Sequence, residues 1–198
     1  DNVAKEIQED MDSQKARRVY DSPSKGVLWG WEVPAYVWTK AIATGTFLMM
    51  AIWQYLNGSI DPSTELAGLI TTLIFMGLTG AFLVKDLDRP DRFLYVLLRP
   101  QWKSWLVRGA YIITGFGGLV TLKFVDYYFG LGWTWLWAVG AIFAILGAVY
   151  TAFLFGQARS RDLWQSTELS AVHMLVHAVM AGTVSLMFIS PELIPSMA

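Results

Sequence analysis

The chain has 198 residues, of which 55% are hydrophobic and 16% charged, and its formal net charge is −1. Soluble domains carry roughly a quarter charged residues, so this deficit points to a membrane protein and excludes a soluble enzyme built around an aqueous cleft. With no basic domain to neutralise phosphates, most nucleic-acid binders are excluded as well, and no nucleic-acid partner is expected.

Residues 1–26 form a charged tail, in which Glu6, Glu9, Asp10 and Asp12 precede Lys15, Arg17 and Arg18. That order suits a helix dipole. Val3, Ile7 and Met11 recur at intervals of four, consistent with a weakly amphipathic surface helix; a solvated tail fits equally well. The charged N-terminus lacks an apolar core of about 7–15 residues, so insertion is expected to be directed by the first spanning helix rather than by a signal peptide.

Residues 27–198 are expected to form one transmembrane bundle. Apolar runs at 34–56, 66–84, 106–125, 133–156 and 171–190 each reach the roughly 20 residues that cross a bilayer's hydrocarbon core. The expected class is an all-α membrane protein with five transmembrane helices, a four-helix-bundle core plus one helix. Pro34 fits the first turn of the first span and places Glu32 and Val33 just outside it, near the membrane interface. Asp61-Pro62-Ser63-Thr64-Glu65 reads as a turn followed by helix-capping residues. Ala41 and Gly45, Gly140 and Ala144, and Ala178 and Gly182 are small residues four apart, which let helices approach closely.

Lysine and arginine gather on one side. The tail, the 85–108 segment and the 157–170 loop hold 13 of them, and the opposite side only Lys123, with Lys40 inside the first span. This bias puts the N-terminus in the cytoplasm and the C-terminus outside, in a prokaryotic cytoplasmic membrane. The ten tryptophans fall near helix ends, with Trp29, Trp31, Trp38, Trp102, Trp105 and Trp164 on one side and Trp53, Trp133, Trp135 and Trp137 on the other. They are expected to form two interfacial belts.

Polar groups are costly inside a bilayer, so the few that occur there are the first candidates for chemistry. Lys40 shares a helix face with Tyr36 and Thr44, and Glu32 lies just before that face begins. A phenol, an ammonium and a hydroxyl on one face can hold a polar ligand; alternatively Lys40 snorkels to the interface and pairs with Glu32 or a headgroup. The segment Lys85-Asp86-Leu87-Asp88-Arg89-Pro90-Asp91-Arg92 alternates acids and bases. Asp86 and Arg108 lie close enough to the hydrocarbon to need partners.

His173 and His177 are the only histidines, and cysteine is absent. Zinc-thiolate centres and all-cysteine iron-sulfur clusters are therefore excluded for this chain alone. A bis-histidine haem needs ligands on opposite sides of its plane, whereas these two project from one face of one helix. No metal centre is expected, and the two imidazoles are expected to pack helices.

The stretches WGWEVPAYVWTKAIATG (Trp29 to Gly45), KDLDRPDRFLYVLLRPQWKSWLVR (Lys85 to Arg108) and Phe155 to Gly182, with its GQARSRDLWQS loop and HMLVHAVMAG helix, resemble NrfD/PsrC-type integral membrane subunits. That family includes the quinone-site subunits of polysulfide reductase and alternative complex III. The resemblance spans residues 27–190, and Asp-Leu-x-Arg-Pro-x-Arg-Phe is its most specific pattern.

The resemblance implies a quinone, menaquinone or ubiquinone, and no haem or iron-sulfur cluster bound by this chain. It implies a partner iron-sulfur subunit, a molybdopterin-type or cytochrome subunit, a second NrfD-like half or subunit, and lipid. In polysulfide reductase relatives an Asn and a His four residues apart, near the start of the first helix, build the quinone site; those positions fall on Glu32 and Tyr36. Two features depart from the pattern. Relatives have eight or more helices where this chain offers five, consistent with a short or split form, and their redox partners often lie outside, opposite to the charge bias here.

The expected quinone site is Glu32, Tyr36 and Lys40, with Trp31 alongside. Asp86, Arg89, Arg108 and His177 are second-choice members of a proton path or structural ion pairs. Two other classes compete: a non-catalytic membrane anchor or assembly subunit, and, ranked last, an ion transporter, which needs acids well inside the spans.

Overall fold

The computed structural model describes residues 30–85, 101–102, 104–156 and 166–190. The tail, Asp86, Arg89, most of the Lys85 to Arg108 segment and residues 157–165 of the GQARSRDLWQS loop lie outside the described residues. Within them are five helices: α1 (Glu32–Asn57), α2 (Pro62–Lys85), α3 (Trp105–Phe129), α4 (Trp135–Gly156) and α5 (Thr167–Ile189). All five are long and apolar enough to cross a membrane. The protein is an all-α, multi-pass membrane protein.

Boundaries differ from expectation where caps decide them. α1 takes in Glu32 and Val33, with the Ala35 N–H donating to the Trp31 carbonyl at 3.2 Å. Pro34 falls in the first turn, where its missing N–H costs nothing because no intrahelical acceptor exists. α3 runs four residues beyond residue 125, to Phe129, and the following Gly130, with φ 62°, ends the helix while its N–H returns to the Asp126 carbonyl. Asp61 caps α2: its carboxylate accepts from the Ser63 and Thr64 N–H groups at 3.0 and 3.3 Å and from the Ser63 hydroxyl. Those hydrogen bonds, with Ser63 first, hold the exposed Asp61 carboxyl below its usual range.

α1 is the central element. It packs on α2, α4 and α5, while α3 packs on α4 and more lightly on α2. The small residues carry the closest approach: a Cβ on Gly45 would collide with the Ala178 and Gly182 backbone, and one on Gly140 would collide with the Phe47 ring. Bilayer hydrocarbon is as apolar as leucine, so fit rather than dehydration holds these helices together. The core between them stacks Phe47 edge-on to Phe116 at 5.5 Å and beside Trp137 at 5.3 Å. Trp137 is thus a core residue, whereas Trp31, Trp38, Trp102 and Trp135 are exposed as belt residues.

Candidate functional site

Chain direction alternates, so the starts of α1, α3 and α5 and the ends of α2 and α4 share one end of the bundle, called the Glu32 end. Three clusters of polar residues are described, two of them there.

The first lies at the membrane edge. The Glu32 carboxylate pairs with the Lys85 ammonium at 3.4 Å, and its side chain is only 19% exposed. Lys85 also sits 4.2 Å from the centre of the Trp31 ring, which meets Phe82 edge-on. An acid, a base and an exposed indole therefore meet where α1 begins and α2 ends. Lys85, not Lys40, is the partner of Glu32.

One turn deeper, Tyr36 is buried among Val33, Ala152, Phe155 and Met174, from α1, α4 and α5. One further turn in, Lys40 is 1% exposed and points at α4, where its ammonium donates to the Ala148 carbonyl at 3.2 Å and to the Thr151 hydroxyl. The Tyr150 ring lies 4.6 Å from it. Gly109 makes room for that ring, since a Cβ there would strike its edge. Tyr36, Lys40 and Thr44 do share one buried face, with the Thr44 hydroxyl closing back on the Lys40 carbonyl. Lys40 does not snorkel to the interface.

Arg108 is exposed in the first turn of α3. Its Nε donates to the Trp102 carbonyl at 2.7 Å and its guanidinium covers the Trp105 ring at 4.8 Å. Its partners are thus backbone and indole. His177 stands with His173 on α5, with parallel rings 6.3 Å apart.

The third cluster is at the opposite end and was not anticipated. Lys123 bridges Glu65 at 3.0 Å and Asp126 at 2.7 Å under the Trp137 ring, and the other Asp126 oxygen accepts the Trp133 N–H at 2.8 Å. Lys123 and Asp126 are buried. The available signal was the i,i+3 spacing of Lys123 and Asp126; ending the third span at residue 125 put Asp126 outside it. The cluster ties α2, α3 and the α3–α4 turn together, and holds its acids at a helix end rather than mid-membrane.

A family model described as polysulphide reductase, NrfD, matches residues 21–130. The chain belongs to this NrfD family. The match covers Glu32, Lys85, Tyr36 and Lys40 as well as all of α1 to α3, while Ala148, Tyr150 and Thr151 around Lys40 lie beyond it. NrfD membership makes the protein a membrane subunit of the quinone-linked oxidoreductase type. No curated protein and no solved structure matches the chain.

Proposed function

We propose that this NrfD-family subunit binds a quinone or quinol at the Glu32 end and exchanges electrons with an iron-sulfur subunit docked there. The observation that carries this reading is the Glu32 carboxylate, half-buried at the membrane edge beside an exposed indole and directly above the Tyr36–Lys40 face. A quinol needs an acceptor for its hydroxyl protons, a donor to its ring oxygens and an apolar entry from the lipid, and these residue types meet those needs.

Glu32 takes a proton from the substrate hydroxyl and passes it to water, since its carboxylate is the polar group nearest the aqueous edge. Lys85 holds that carboxylate in place. Tyr36 donates from the wall of the site. Lys40, a turn further in, stabilises negative charge developing on a ring oxygen. Trp31 supplies a flat face for the ring. The electrons leave through the partner's cluster, because this chain has no cysteine with which to hold one. On this reading the Glu32 end faces the cytoplasm, in line with the positive-inside bias of the sequence.

The anchor reading has one observation in its favour: the Lys40 ammonium is already engaged by Ala148 and Thr151, as a packing residue would be. Quinol turnover of the assembled complex separates the two. Under the quinone reading Glu32→Gln lowers turnover in a complex that still assembles; under the anchor reading turnover per assembled complex is unchanged.

A further inference from the structure

The end of α1 and the start of α4 leave a groove of about 370 Å³ between them, at the end of the bundle opposite Glu32. Its depth is set by Ala51 and Trp137, which are buried, and the small side chains of Ala138 and Ala141 keep its α4 side low. Ile52 and Leu56 stand exposed along the α1 side. Tyr55 and Thr134, also exposed, stand at the mouth, level with the helix ends. From Thr134 to Ala141 the groove runs inward by roughly 10 Å, at 1.5 Å per residue.

Such a volume lies in the range of small-ligand sites, and apolar walls with a few polar groups are their usual lining. Among the described residues no charged side chain and no imidazole lines it, so it suits neither an ion nor a quinol, which needs a proton acceptor. It offers an apolar slot entered from the bilayer, with a hydroxyl and a phenol at the interface. That order matches a phospholipid in its own leaflet. Ester and phosphate oxygens accept from Thr134 and Tyr55, and one acyl chain runs inward parallel to the spans. Bilayer hydrocarbon is as apolar as the groove, so close fit rather than dehydration has to hold the chain, and the alanines supply the recess for it.

We propose that this groove is a specific phospholipid site, taking one acyl chain per subunit, with the head oxygens on Thr134 and Tyr55. The chain packs on Trp137, whose ring centre also lies 4.8 Å from the Lys123 ammonium, so occupancy braces the α1–α4 seam beside that cluster. This inference is independent of the quinone reading.

The test is a titration of the detergent-purified complex with a phosphatidylcholine carrying a photoactivatable diazirine near the end of one acyl chain, with cross-linked peptides mapped by mass spectrometry. Saturable labelling of residues 51–56 and 134–141, displaced by unlabelled phosphatidylcholine, is expected. Ala138→Leu fills the recess from an exposed position, and overfilling should weaken labelling roughly tenfold or more. Thr134→Val keeps the shape and removes the hydroxyl, for a loss of about two- to tenfold. Ala81→Leu, exposed on α2 away from the groove, is the control and leaves labelling unchanged; size-exclusion checks the fold of all three. Labelling that fails to saturate, or that spreads evenly over the exposed faces of α2 and α5, would mark ordinary bilayer lipid and overturn the proposal. So would an unlabelled groove, as a partner helix seated there would leave it, displacement by a quinone but not by phosphatidylcholine, or equal labelling in Ala138→Leu and wild type.

Discussion

Lys40 and Thr151 join α1 to α4 inside the bundle, the ammonium donating to the threonine hydroxyl and, at 3.2 Å, to the Ala148 carbonyl. A cation this deep is expensive unless its donors are used, and here the backbone carbonyl and hydroxyl use them. Replacing Lys40 by Met keeps the apolar stem and removes the charge, and Thr151 can turn its hydroxyl to its own helix. Lys40→Met is therefore expected to fold with little change in thermal midpoint. Lys40→Ala leaves a cavity and should cost about 2–5 kcal/mol. Thermal unfolding in detergent followed by circular dichroism distinguishes the two, and equal midpoints would refute this account of the contact. If Lys40 also serves the quinone, turnover falls in both variants alike.

The α1–α5 seam depends on Gly45 meeting the backbone of Ala178 and Gly182. Gly45→Ala forces the helices apart and is expected to destabilise by about 1–3 kcal/mol. Gly118 is the control: it is exposed on α3 with nothing near its Cβ position, so Gly118→Ala should stabilise by about 0.5–1 kcal/mol through lower backbone entropy. A matched melting series in one detergent reads both signs.

At the far end, Lys123 compensates Glu65 and Asp126 together. Lys123→Met leaves two acids in a largely dehydrated site, and breaking a buried pair in this way costs about 3–5 kcal/mol. Combining Lys123→Met with Glu65→Gln and Asp126→Asn removes the uncompensated charge and should recover most of that loss. Failure of the triple variant to exceed the single one in thermal stability would show that the cluster acts otherwise.

Much of this was legible from residue order. Five spans, the close approach at Gly45, Ala178 and Gly182 and the shared face of Tyr36, Lys40 and Thr44 all follow from periodicity and residue size, and all are present in the fold, whereas the 61–65 turn proved to hold its cap in Asp61 itself. What periodicity could not supply was the choice of partner across helices. Glu32 had Lys40 as its nearest basic neighbour in its own helix, yet pairs with Lys85, 53 positions away, because antiparallel packing brings the end of α2 beside the start of α1. Lys123 read as a lone charge for the same reason: Glu65 reaches it from another helix. Trp137 read as a belt residue from its place near a helix start, but the inward turn of α4 buries it against Phe47. The roles of Glu32, Tyr36 and Lys40 in quinone chemistry rest on proposal.

The Asp61 cap carries a pH dependence. Its carboxyl titrates below the ordinary value because Ser63 and Thr64 donate to the charged form. A depressed folded-state value adds stability that is fully present above the unfolded carboxylate range and is lost as pH falls through the folded value. Wild type should therefore lose thermal stability on acidification, and Asp61→Asn should show a smaller change over the same interval. Parallel melts across the acidic range measure the difference; identical slopes would remove Asp61 from the account.

The most direct test of the quinone assignment is a titration of the purified membrane complex with a fluorescent quinol analogue, in wild type and in Glu32→Gln. Saturable quenching in the wild type that weakens in the variant, with the complex intact, is the predicted result. Binding absent from both, or equal in both, would contradict a quinone site at the start of α1.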